Sequence, residues 1–108
     1  MEHQLSNSEF YILLSLAIKS RHGYEIMQQV EYDSQGKILL GPGTLYGSIK
    51  RMLSNKLIKE TPNASSRRKY YILTEKGKAA LSAELERYND TVQLAKNAKL
   101  LNGAQLSY

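Results

Sequence analysis

Cysteine is missing from all 108 residues, so neither a disulfide framework nor a thiolate metal site can form. Tryptophan is missing too, which removes the strongest side chain for stacking on a flat or cationic ligand. No apolar run approaches the length needed to span a bilayer. The opening residues, Met1-Glu2-His3-Gln4, are polar and do not form a basic region followed by an apolar signal core. A soluble, cytoplasmic protein with no membrane role is the expectation. His3 and His22 have no ligand partners at metal spacing, and no serine or carboxylate is arranged around either. Neither an enzyme nor a cofactor-dependent protein is expected. The chain shows no internal repeat and no low-complexity segment.

Acid is scarce in one stretch. Between Thr44 and Lys69 seven bases (Lys50, Arg51, Lys56, Lys59, Arg67, Arg68, Lys69) face the single acid Glu60. That stretch carries +6 and the rest of the chain −1, for a formal net charge of +5. A localised excess of this kind is the electrostatic footprint of a polyanion binder. The bland alternative is a solvated basic face that keeps the protein soluble. With 42% hydrophobic residues, a chain this short suits one compact domain with a modest core. Domains of this size often complete their core by oligomerising.

Ser6-Asn7-Ser8-Glu9 has the form of a capping box before an apolar run. The helix it opens is expected to reach about residue 19, with Phe10, Leu13, Leu14 and Ala17 as its stripe. Tyr11, Ile12, Leu16 and Ile18 are apolar as well. Such a helix must be covered on more than one side, and a second subunit would supply the second cover. Gly23 interrupts the pattern, and residues 24–32 read as a second helix with Tyr24, Met27 and Val30 inward. A turn cluster at Asp33-Ser34-Gln35-Gly36 precedes a short extended piece at 37–40.

Gly41-Pro42-Gly43 then opens a third helix, with Pro42 suited to an early helical position. It is expected to run to about residue 54, with Leu45, Ile49, Met52 and Leu53 inward and Thr44, Ser48, Lys50 and Arg51 outward. Asn55 suits a left-handed C-terminal cap. Residues 57–61 and 69–73 are β-prone, and the polar link between them makes a hairpin. Thr74 is a good N-cap for the last helix, with Glu75 in the first turn. Leu81, Leu85, Tyr88, Val92 and Ala95 follow at steps of four, three, four and three, a heptad seam. A partner helix is its natural cover, and the pattern ends at Asn102-Gly103. The fold class is therefore mainly α with a small β-hairpin. It is a winged helix-turn-helix over residues 1–74, with a dimerisation helix and tail over 75–108. In this fold the third helix enters the major groove of DNA, and the hairpin, or wing, rides on the backbone beside it.

Several pieces in this order resemble the PadR family of bacterial transcriptional regulators. They are His22-Gly23-Tyr24-Glu25-Ile26, Gly43-Thr44-Leu45-Tyr46, Leu57-Ile58, Arg67-Arg68-Lys69-Tyr70-Tyr71, and Leu73-Thr74 with Gly77. Residues 9–85 carry the resemblance. It implies a homodimeric repressor on a pseudo-palindromic operator, released by a small aromatic or cationic effector. The short C-terminus resembles the subfamily with a single dimerisation helix. Two positions depart from the family: Gly47 stands where proline is usual, and Ser54 where an acid is frequent.

The candidate DNA-binding residues are Thr44, Tyr46, Ser48, Lys50, Arg51, Arg67, Arg68 and Lys69. Arg51 can fork onto a guanine edge, while ordinary helix solvation is the other reading of Lys50 and Arg51. Thr44 and Ser48 can donate to phosphates or bases, and Thr44 can equally cap its helix. Tyr46 can stack on a sugar or pack inward with a wet tip. Tyr70 and Tyr71 point to opposite faces of their strand, one of them into the core. The expected dimer interface comprises Tyr11, Leu81, Leu85, Tyr88, Val92 and Ala95. Phe10, Tyr11 and Tyr88 are candidates for an effector pocket, with Tyr88 also readable as plain dimer core. A winged-helix module that binds an acidic protein partner is the competing function.

Overall fold

The computed structural model describes residues 4–62 and 67–101. Their elements are α1 (Asn7–Ile18), β1 (Arg21–His22), α2 (Gly23–Asp33), α3 (Pro42–Ser54), β2 (Ile58–Thr61), β3 (Tyr70–Leu73) and α4 (Glu75–Asn97). The expected sequence of three helices, hairpin and long final helix is present. The tip of the hairpin turn, 63–66, and the expected stop at Asn102-Gly103 lie outside the described residues.

α1 starts on the capping box read from the sequence. Glu9 N–H donates to Ser6 Oγ at 3.1 Å, and Ser6 N–H donates to Glu9 Oε1 at 2.9 Å. Its buried apolar residues are Phe10, Ile12, Leu13 and Leu16, whereas Ala17 is exposed. A helix apolar nearly all round does not encode which side faces in, and packing against α2, β3 and α4 makes that choice.

α2 begins at Gly23, one residue before the expected start, and turns Ile26 and Val30 into the core. Tyr24, expected inward, is 60% exposed. The cause lies at Gly23: the ring of Tyr46 from α3 sits where a Cβ on Gly23 would be. That close approach points Gly23 inward and leaves Tyr24, about 100° further round the helix, in the open. Residues 37–40 form no strand; Ser34 Oγ instead accepts from Ile38 N–H at 3.0 Å and shapes the loop.

Three helices stop on the same backbone device. At the end of α3, Leu57 N–H donates to Met52 C=O and Lys56 N–H to Leu53 C=O, a Schellman motif. The left-handed residue is Lys56 (φ 62°), not the expected Asn55 (φ −83°). Gln35 and Lys99 occupy the equivalent left-handed position after α2 and α4.

The hairpin strands β2 and β3 pair antiparallel with Ile58 opposite Leu73 and Thr61 opposite Tyr70. β1, not foreseen in the sequence, adds to the other edge of β3, with Arg21 opposite Tyr71 and His22 opposite Tyr70. Tyr71 and Leu73 face the core, as does one face of β2 through Ile58. The sheet thus ties the start of α2 to the base of the wing.

α4 is anchored to this core at its N-terminal end. Thr74 caps it by accepting from Gly77 N–H at 3.0 Å. Gly77 lies against the Leu57 carbonyl, where a Cβ would collide with backbone. Leu81 is 5% exposed and belongs to the chain's own core, which corrects its assignment to the interface seam. Further along, Leu85 and Tyr88 are 42% and 40% exposed. No described helix is long and apolar enough to cross a membrane.

Candidate nucleic-acid interface

α3 buries Leu45, Ser48, Ile49 and Met52 on one side. Thr44, Tyr46, Lys50 and Arg51 are exposed on the rest of its surface. Ser48 was expected outward and is 2% exposed, because it shares the inner face with its neighbour Ile49 at the 45, 48–49, 52 spacing. Its hydroxyl accepts from Arg51 Nη2 at 3.1 Å. Thr44 does not cap the helix: the N-cap is Gly41, with no side-chain bond, and Pro42 opens the first turn as expected.

Tyr46 packs its phenol end against α2, with the hydroxyl nearest to Gly23. The residue nevertheless stays 51% exposed. It borders an open cleft of about 500 Å³ with Arg67, Arg68 and Lys69 of the hairpin, His22 of β1, and Gly23 and Tyr24 of α2. The fold therefore brings the α3 tyrosine and the basic end of the wing to one place, although about twenty residues separate them in sequence.

His22 holds this junction together. Its backbone pairs β1 to β3, and its ring caps α2 with Nδ1 3.4 Å from Glu25 N. Glu25 returns the contact by accepting from His22 N–H at 3.2 Å. Nε2 lies 3.2 Å from Arg68 Nη1, and the ring stands edge-on to Tyr70 at 5.2 Å. Guanidinium and backbone N–H are both donors, and a neutral imidazole has a single acceptor nitrogen, so the ring serves one of them at a time. Sequence reading placed His22 at the helix start but missed the cap and the wing contact. The signal was a His-x-x-Glu spacing that mimics the Ser-x-x-Glu box. Gly23 and Tyr24 carry no local signal as lining residues, because the cleft exists only where β1, α2, α3 and the hairpin meet.

The wing cations differ in surroundings. Arg67, Arg68 and Lys69 are all exposed. Lys69 Nζ lies 3.7 Å from Glu60 Oε1 across the hairpin, a solvent-screened pair. Beneath them, burial raises the Tyr71 phenol above its ordinary value, helped by the Glu60 carboxylate and the Tyr46 phenol. Among the described residues no group of three or more His, Cys, Asp or Glu gathers to hold a metal.

Between α1 and α4, Phe10 makes edge-to-face contacts with Tyr11 and Tyr88, with ring centres 5.4 and 5.1 Å away. Tyr88 Oη donates to the buried Glu84 Oε2 at 3.2 Å, and Arg87 Nη2 pairs with Glu84 Oε1 at 2.8 Å. The candidate effector residues are thus one aromatic cluster joining α1 to α4. Val92 and Ala95 are half-buried further along α4.

A solved PadR family transcription regulator from Clostridium difficile is 30% identical, with a TM-score of 0.71 over 85% of this chain and 97% of that one. A transcriptional regulator from Clostridium thermocellum has the same fold at 23% identity, with a TM-score of 0.70 over 86% of this chain and 96% of that one. An uncharacterised protein of Lysinibacillus sphaericus is 29% identical over 87 residues, covering 77% of this chain and 80% of its own length. The model of the PadR-like transcriptional regulators matches residues 12–83, and the chain belongs to this family of DNA-binding regulators, which are not enzymes.

Proposed function

We propose that the protein is a homodimeric repressor that reads a pseudo-palindromic operator in double-stranded DNA. Residues 1–74 form the DNA-binding unit, and 75–108 supply the dimerisation helix and tail. The carrying observation is that Lys50 and Arg51 stand exposed on α3, and that Tyr46 of the same helix borders one cleft with Arg67, Arg68 and Lys69 of the wing. Thr44, Tyr46, Lys50 and Arg51 face the major groove, while Arg67, Arg68 and Lys69 take backbone phosphates. Ser48 drops out of the contacting set because its hydroxyl is buried.

Dimerisation uses Tyr11 of α1 with Leu85, Tyr88, Val92 and Ala95 of α4. This reading is supported by the exposure of the seam once Leu81 has been spent on the chain's own core. The aromatic cluster of Phe10, Tyr11 and Tyr88 borders that seam, so a flat aromatic or cationic effector bound there would act on the spacing of the two DNA-reading helices.

Fluorescence anisotropy on the protein's own upstream promoter DNA, against a scrambled duplex across salt concentrations, tests the reading. Tight, selective and steeply salt-dependent binding is expected. Arg67→Ala should weaken binding to both duplexes and lower the salt slope by about 1. An unchanged slope removes the wing from the contact surface.

A further inference from the structure

Arg51 lies back along α3, with one nitrogen hydrogen-bonded to a side chain and another beside a carboxylate. Nη2 donates to Ser48 Oγ at 3.1 Å. Nη1 lies above the bare backbone of Gly47, 3.7 Å from where a Cβ would stand. Nε faces Glu9 Oε2 at 3.9 Å. Ser48 and Glu9 are 2% and 3% exposed, so neither presents its side chain to a nucleic acid. Arg51 itself stays open to solvent, its side chain 62% exposed.

We infer that Ser48 and Glu9 are positioning residues that set the specificity of Arg51, a role that rests on α3 being the DNA-reading helix. A guanidinium reads a base edge through a planar fork, which is useful only if the plane is oriented. Ser48, one turn back, orients it and removes part of the rotamer freedom that binding would otherwise have to quench. Glu9 acts from another element. Its carboxylate is held by the α1 capping box, so the charge beside Arg51 is fixed in place. That negative charge opposes indiscriminate attachment of Arg51 to any phosphate and leaves correctly oriented contacts as the favourable ones. The pair also explains why a serine sits on the buried side of α3: its hydroxyl has an ionic partner there.

The test starts from a duplex pool with a randomised core, from which the wild-type protein selects its preferred sequence. Affinities for the selected duplex and a scrambled duplex are then measured for wild type, Arg51→Ala, Ser48→Ala, Glu9→Gln and the two double variants containing Arg51→Ala. Ser48→Ala removes the hydroxyl while favouring the helix, and Glu9→Gln keeps a capping-box residue while removing the charge. Arg51→Ala should collapse the selected-to-scrambled ratio. Ser48→Ala should lower it about tenfold, the worth of one charge-assisted hydrogen bond, with the salt slope unchanged. Glu9→Gln should lower the ratio chiefly by tightening binding to the scrambled duplex. In the Arg51→Ala background neither substitution should alter the ratio further. If Arg51→Ala matters while both single variants keep the wild-type ratio, the positioning role is overturned and the DNA reading stands. If the wild type selects nothing, or Arg51→Ala is silent, the assignment of α3 falls and takes this role with it.

Discussion

Gly47 meets no steric demand for glycine. An added Cβ would have only Arg51 Nη1 within 4 Å, at 3.7 Å, and Gly47 is not among the positive-φ residues. A glycine inside a helix costs about 1 kcal/mol relative to alanine. Gly47→Ala should therefore stabilise the fold by about that amount, seen as a higher urea midpoint; a lower midpoint would show strain that the helix does not display. Gly77 is the opposite case, since its Cβ would enter the Leu57 carbonyl. Both glycines look alike in the sequence, and only the neighbouring element separates them. Tyr71 gives a pH-dependent case. Its phenol is raised above 10.0, first by burial and then by Glu60 and Tyr46. A group with a raised folded value contributes stability that is complete below its unfolded pKa and lost as pH rises through the folded one. Tyr71→Phe should flatten the loss of thermal stability above about pH 10. Tyr88 is raised as well, so the quantity to follow is the difference between wild type and variant, and parallel curves would discard the assignment.

The helix ends show which local signals survive folding. Ser6 with Glu9, and Thr74 with Gly77, were legible because a side chain bonds its own turn and needs no distant partner. Thr74 also donates to the Lys56 carbonyl, stitching α4 to the left-handed turn that closes α3. Thr74→Ala should cost about 1–2 kcal/mol in chemical denaturation, whereas Thr74→Ser should retain most of the stability; equal losses in both would assign the effect to the methyl group. β1 was illegible for the converse reason. Two residues carry no periodic pattern, and they are a strand only because β3 offers them an edge. Tyr24 was misplaced because a three-residue spacing fits two adjacent faces of a short helix. The approach of Tyr46 to Gly23 chose between them.

At the scale of the whole molecule, the question is what covers α4. Leu85 and Tyr88 remain about two-fifths exposed, while Leu81, one turn earlier, is enclosed. Leu85→Glu should leave the single chain folded and split the dimer, as read by sedimentation velocity alongside circular dichroism. An intact dimer in that variant would sink the seam. If the proposed dimer reads two half-sites, DNA affinity should fall with it, because half-sites about 34 Å or a multiple of that apart are read together only by a coupled pair of recognition helices.

Order of elements, capping residues and the position of the basic stretch are local or additive properties, so the amino-acid order carried them. A capping box depends on residues three apart, and net charge depends on no geometry at all. Orientation is different in kind. Ser48 faces inward to hold Arg51, Leu81 serves the chain's own core, and His22 spans from α2 to the wing. Each of these depends on which face meets a neighbour from far along the chain. A periodic pattern states that a helix has an inner face, but close packing between elements selects the residues that fill it.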